Sequence, residues 1–200
     1  MVQQNKVKIK QEDRISVKNI IDDTNPILRE VSFDVPYPLT KEDKIIMHQM
    51  IDYVRSSVDP NLDEKDKREL RPAYGMSAIQ LGYPKKMLFV HVPNEFGKET
   101  EEFALVNPKV IQYTDKKAYL AGGEGCLSVN NSHPGYVLRS YGIKLVAIDY
   151  FTDREVEIDA KGLTAIVLQH EIDHLLGILF YDRINKLQPF VLSDKKAIKL

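Results

Sequence analysis

Apolar positions recur at helical spacing first at Ile46, Met50 and Val54, a register that Ser57 continues. Thr40 stands ahead of them as a natural N-cap, and Glu42 and Asp43 suit the positive end of a helix dipole. The spacing predicts a helix over residues 41–58. Short β-branched or aromatic runs follow at 87–92, 105–113, 136–139, 143–150 and 154–158, parted by turn residues. They predict mostly antiparallel strands, with a hairpin turn at Thr152 and Asp153. After Gly162 the period is helical again through Leu163, Ile166, Val167, His170 and His174, and Gly177 is placed to end that helix. The expected fold is therefore α+β, with antiparallel sheets surrounding a helix late in the chain.

Polar stretches bound these elements. Residues 1–25 are polar and close on Asp22, Asp23, Thr24, Asn25 and Pro26, a turn cluster that makes them an arm. Residues 59–72 are charged almost throughout, with few apolar side chains to bury, and read as a solvated loop or a short exposed helix. A chain of 200 residues with 43% hydrophobic and 28% charged residues fits one folded domain: arm 1–25, core 26–190 and tail 191–200. Its 28 Lys and Arg against 29 Asp and Glu leave a formal charge of −1, which removes any general electrostatic draw to DNA or an anionic membrane. The first residues lack the apolar region of a secretory signal, and no apolar run approaches the ~20 residues that cross a bilayer. A cytoplasmic location is expected. A single cysteine, Cys126, forms no internal disulfide, so it packs, ligates or reacts.

The candidate chemistry begins at His170-Glu171-Ile172-Asp173-His174, an H-E-x-x-H pattern. On a helix the i, i+4 spacing turns both imidazoles to one side, where they can meet one metal ion. Glu171 leans to the flank of that face, where a carboxylate reaches a bound water without ligating the ion. Two surface histidines on an amphipathic helix would give the same letters. A catalytic site of this kind needs a third protein ligand and an open fourth position. Downstream there is no further His or Glu; Asp182 and Asp194 remain, while Cys126 and His133 stand upstream as softer ligands. A lone cysteine often serves only as a small packing residue, but Cys126 lies in Gly122-Gly123-Glu124-Gly125-Cys126-Leu127-Ser128, where glycines let backbone amides come close to a ligand.

Glu124 to Ser128 and Gln169 to His174 match, position by position, the Glu-Gly-Cys-Leu-Ser and Gln-His-Glu-x-Asp-His motifs of the peptide deformylases, which this chain resembles. The resemblance continues through Pro134-Gly135-Tyr136-Val137 and Phe180-Tyr181-Asp182-Arg183-Ile184, is closest to the longer, Gram-positive type, and spans residues 20–190. The family's remaining motif, Gly-x-Gly-x-Ala-Ala-x-Gln, is divergent here: Gly75, Ala78 and Gln80 agree, whereas Ala73, Ser77 and Ile79 depart from it.

The resemblance implies hydrolysis of the formyl group from N-formylmethionine at the start of a new polypeptide. It implies a divalent ion on Cys126, His170 and His174, with Fe²⁺ native and zinc, nickel or cobalt able to replace it. Such an ion lowers the pKa of a bound water from about 15.7 toward ~7, and Glu171 would take the proton and pass it to the leaving nitrogen. The side-chain amide of Gln80 and the N–H of Leu127 would stabilise the developing oxyanion. Leu163, Ile166 and Val167 lie on the face of His170 and are candidates for a methionine pocket, although such a stripe is also what a buried helix needs for its core. Gly75 and Gly125 are candidates to hydrogen-bond the peptide backbone.

His48, His91 and His133 lack a ligand partner at a telling spacing and read as structural or surface residues, with His133 a reserve ligand. The tail's three lysines are an expected solvated end, with transient contact to ribosomal RNA a further expectation. Two other functions compete with deformylation: a metallopeptidase using Asp182 as third ligand, and a non-catalytic deformylase-like protein that binds peptides or metal.

Overall fold

The computed structural model describes residue 10 and residues 13–62, 69–93 and 99–200. Helix α1 (Lys41–Val58) starts where Thr40 caps it. Thr40 Oγ1 accepts the Asp43 N–H at 3.1 Å, and the Asp43 carboxylate accepts the Thr40 N–H at 3.0 Å, so two amides without helical partners are satisfied reciprocally. The buried stripe takes in Met47, Ile51 and Tyr53 besides the predicted positions. Ser57, in register with them, uses its hydroxyl to accept the Ala73 N–H at 3.1 Å and so ties the end of α1 to the chain entering the first strand.

Strands β1 (Gly75–Ser77), β2 (Met87–Pro93), β3 (Thr100–Tyr113), β6 (Gly142–Asp149) and β7 (Arg154–Lys161) form one sheet in the order β1-β2-β3-β6-β7, antiparallel throughout. Strands β4 (Lys117–Tyr119), β5 (Arg139–Ser140) and β8 (Ile198–Lys199) form a second, small sheet in the order β5-β4-β8. Along β2 the side chains alternate between two cores, as the two-residue period of a strand requires. Met87 and Phe89 pack toward α1 with Met50 and Val54. Leu88, Val90 and Val92 pack on the opposite face with Ala165, Leu168, Ile172 and Leu175 of helix α2 (Gly162–Leu175).

The helix bearing H-E-x-x-H thus runs with the large sheet on one side and the small sheet on the other, where the Gln169 side chain exchanges hydrogen bonds with the N–H and carbonyl of Ser140 in β5 (3.1 and 2.8 Å). Gly177 ends it at φ 71°, in a left-handed conformation where a Cβ would also strike the Arg29 carbonyl.

Two expectations are corrected. Of the run 136–139, only Arg139 enters a strand; the Tyr136 N–H goes to the Pro189 carbonyl (2.8 Å), outside any ladder. The hairpin between β6 and β7 closes Asp149 on Arg154, so its loop has four residues, with the Asp149 carboxylate accepting from the Thr152 N–H at 3.0 Å and its hydroxyl at 2.6 Å. The charged loop is described only at its ends, residues 63–68 lying outside the described residues. The described part of the arm lies on the core: Ile15 is buried beneath α1, the Ile21 N–H binds the Gln80 carbonyl (2.9 Å), and the Asp23 N–H binds the Ser128 carbonyl (2.8 Å). The tail's β8 pairs parallel with β4. Among the described residues no helix is long and apolar enough to cross a membrane.

Candidate metal centre and peptide cleft

Helix α2 sets His170 and His174 one turn apart and edge to face, with ring centroids 5.0 Å from each other. The glycine-flanked loop between β4 and β5 brings Cys126 to the same point. One ligand atom from each of the three residues lies within 4.8 Å of the other two, and Cys126 Sγ is 3.2 Å from His174 Nε2. Asp182 instead pairs with Arg29, Asp194 caps the turn at Lys196, and His133 stacks on Tyr181 at 4.1 Å between centroids. His48 bonds the Tyr150 hydroxyl at 2.5 Å, and His91 bonds Glu102 at 2.7 Å.

The environment suits a cation. Glu124 accepts from His170 Nδ1 at 2.8 Å and is clasped by Arg139 through Nε (2.5 Å) and Nη2 (2.8 Å). Burial opposes ionisation of Glu124, but Arg139 and His170 outweigh it and bring its pKa down to about 2. An ionised carboxylate only accepts hydrogen bonds, so His170 carries a proton on Nδ1 and can offer its Nε2 lone pair when singly protonated. Burial would lower the pKa of His170, yet the hydrogen bonds to Cys126 and Glu124 hold it well above the ordinary value. That same negative field favours a cation among the three ligands. Burial, and then the charge of His170, push His174 well below its ordinary value, toward the neutral form that ligates a metal. Its Nδ1 is buried with no hydrogen-bond partner among the described residues. One thiol and two imidazoles, with a carboxylate behind one ring and a cavity in front, fit a catalytic site of three protein ligands.

That cavity measures about 480 Å³, within the usual range for a small ligand. Gly75, Gly125, Leu163, Ile166 and Val167 all line it, as do Gln80, Leu127 and Glu171. Gln80 is buried, its Nε2 3.5 Å from Cys126 Sγ and 3.3 Å from Ser128 Oγ. Glu171 is buried on the flank of α2, and burial raises its pKa above that of an ordinary glutamate despite the opposing charge of His170 and a hydrogen bond from Ser77.

Three contributors escaped the sequence reading. Arg139 bridges Glu124 to Asp173 (2.9 Å), and Arg183 grips Asp173 through two bonds of 2.5 Å. Arg71 lines the cavity and donates to the Leu127 carbonyl. Glu124 and Asp173 sat inside the two quoted motifs and Arg183 inside the quoted stretch 180–184, and so offered a signal; Arg71 and Arg139 lay outside every quoted motif and offered none.

The profile of the family described as Polypeptide deformylase matches residues 17–190. The Geobacillus stearothermophilus protein named Peptide deformylase 2 is 47% identical over 180 residues, covering 90% of this chain and 96% of its own length. The Malacoplasma penetrans Peptide deformylase is 40% identical over 175 residues, with coverages of 88% and 91%. Among solved structures, the peptide deformylase of Ehrlichia chaffeensis superposes with a TM-score of 0.68 at 26% identity, over 85% of this chain and 89% of that one. The Arabidopsis thaliana peptide deformylase 1B, crystallised with an inhibitor, gives 0.62 at 29% identity, over 84% and 82%. With motifs, fold and full-length likeness in agreement, the chain belongs to the polypeptide deformylase family.

Proposed function

We infer that this protein removes the formyl group from N-formylmethionine at the start of newly synthesised polypeptides, releasing formate and a free amine. The observation that carries the reading is the convergence of Cys126, His170 and His174 beside a cavity that Cys126 and His170 line together with Glu171 and Gln80. Cys126, His170 and His174 would hold one divalent ion, whose chemistry when bound is Lewis-acid polarisation and a lowered pKa for water. The family likeness makes Fe²⁺ the proposed native ion, and a thiolate beside two imidazoles suits zinc, nickel or cobalt as substitutes.

Glu171 takes a proton from the attacking water and returns it to the leaving nitrogen, so that the formyl C–N bond breaks as a new C–O bond forms. Its raised pKa suits both halves of that task. The Nε2 amide of Gln80 and the N–H of Leu127 serve the oxygen on which negative charge builds, where preorganised donors help the transition state more than the ground state. Leu163, Ile166 and Val167 receive the methionine side chain, and Gly75 and Gly125 hydrogen-bond the peptide backbone. The whole chain acts as one domain in the cytoplasm, with transient ribosome contact through its basic tail.

The test is anaerobic formate release from formyl-Met-Ala, with metal content measured alongside. Glu171→Ala should keep its metal and lose at least about a hundredfold in turnover. Cys126→Ala should lose both metal and activity; a metallopeptidase ligated by Asp182 would keep both, and a non-catalytic protein would leave the peptide intact when metal-loaded.

A further inference from the structure

Ser77 stands where the resembled motif has an alanine, and its side chain is fully buried between β1 and the motif helix. Its Oγ lies 2.7 Å from Glu171 Oε2 and 2.9 Å from the main-chain carbonyl of the same glutamate. Among the described residues no other side chain hydrogen-bonds that carboxylate. The opposite oxygen, Oε1, lies against Gly75, where even a Cβ would stand only 2.6 Å from it. The Ser77 N–H meanwhile donates to Gln80 Oε1 at 2.9 Å, which leaves the Gln80 Nε2 group to face Cys126. One residue therefore touches both polar side chains assigned to the reaction, through its backbone on one and its hydroxyl on the other.

A serine hydroxyl has one proton, and here it has two acceptors in reach. An ionised Oε2 is the stronger of the two; a carboxyl that has taken up a proton is weaker, and the carbonyl then keeps the hydroxyl satisfied.

We propose that Ser77 is a positioning residue for Glu171: its hydroxyl holds Oε2, so that Oε1, beside Gly75 in the cleft wall, is the oxygen that accepts the proton from water and delivers it to the leaving nitrogen. The proposal rests on the reading of Glu171 as the proton carrier. It goes beyond that reading by assigning separate tasks to the two carboxylate oxygens, through a side chain at which this chain departs from the motif.

The experiment compares formate release from formyl-Met-Ala by Ser77→Ala, Ser77→Thr, Ser77→Val and Glu171→Gln, all loaded with the same divalent metal. Ser77→Ala removes the hydroxyl and keeps the N–H, so kcat should fall about tenfold while KM stays within about twofold and metal content is unchanged. Threonine and valine have nearly the same shape, so any cost of the added methyl is common to both; Ser77→Thr should exceed Ser77→Val about fivefold in kcat. In zinc-loaded protein with ¹³C-labelled glutamate carboxyls, the resonance that Glu171→Gln removes should shift in Ser77→Ala and Ser77→Val. A Ser77→Ala enzyme with wild-type kcat, equal rates for threonine and valine, a loss confined to KM, or an unmoved resonance would each overturn the proposal. If Glu171→Gln retained turnover, the reading of Glu171 itself would fall, a different outcome from an inert Ser77 beside an essential glutamate.

Discussion

The protein contains the same arrangement of arginine, glutamate and histidine twice. At the candidate metal centre, Glu124 accepts from His170 Nδ1 at 2.8 Å and from Arg139 through Nε and Nη2. On the far side of the large sheet, Glu102 accepts from His91 Nδ1 at 2.7 Å and from Arg55 through Nε (2.7 Å) and Nη2 (2.5 Å). Both carboxylates are brought to about 2 in pKa, in each case against burial. The hydrogen bonding is alike; the surroundings are not. Arg139 and Glu124 are 2% and 4% exposed, against 27% and 23% for Arg55 and Glu102. Arg55 also lies over the rings of Phe89 and Phe151, whereas Arg139 continues into Asp173 and Arg183. Of these two histidines, only His170 has a thiol and a second imidazole beside it. A histidine held on a carboxylate is thus a general structural device, and what converts it to a candidate ligand is the company on its other nitrogen.

The sharpest way to break the parallel is to remove each arginine. Arg139→Met should destabilise the fold by about 3–5 kcal/mol in denaturant unfolding, because Glu124 is left buried with only His170 as partner and Asp173 keeps only Arg183. Arg55→Met should cost about 1 kcal/mol, since water reaches Glu102 and the methionine keeps contact with the two phenylalanines. Equal costs would mean that burial does not separate the two clusters.

Next in size is the effect on metal. Glu124→Gln should weaken metal affinity about 10- to 100-fold in a chelator competition, whereas Glu102→Gln should leave it unchanged. A comparable loss in both would remove any special link between Glu124 and the ligand set.

The smallest expected effect is on acid stability. Glu102 falls from an ordinary 4.5 to about 2 in the folded protein, so its contribution is complete above about pH 4.5 and fades as pH drops toward 2. Glu102→Gln should flatten that part of a melting-temperature profile against pH.

Much of the architecture was readable from local pattern. The Thr40 cap and the stripe at Ile46, Met50 and Val54 define α1 to its last residue, because capping and helical periodicity act within a few positions. The spacing of His170 and His174 required only a helix to bring the two rings edge to face. Strands β1, β4 and β8 escaped because two or three residues carry no period, and the run at 136–139 misled because β propensity does not say where its amides find partners. At the site, a glycine-rich loop marked Cys126, but nothing local to Arg139 announced that it would clasp Glu124. Nothing local to Ser77, seen first as an altered motif position, announced that its hydroxyl would meet Glu171, 94 residues later.

The amino-acid order was sufficient for the helices, the longer strands, the composition of a folded domain and a set of candidate residues for the chemistry. These depend on interactions that span a few residues, or on motifs in which neighbours stay neighbours. Folding in three dimensions settled that the one thiol meets the His170–His174 pair, which arginine neutralises which buried carboxylate and which hydroxyl touches Glu171. Those outcomes turn on distances of a few ångströms between segments far apart along the chain, where a shift of one sheet or loop would exchange every partner.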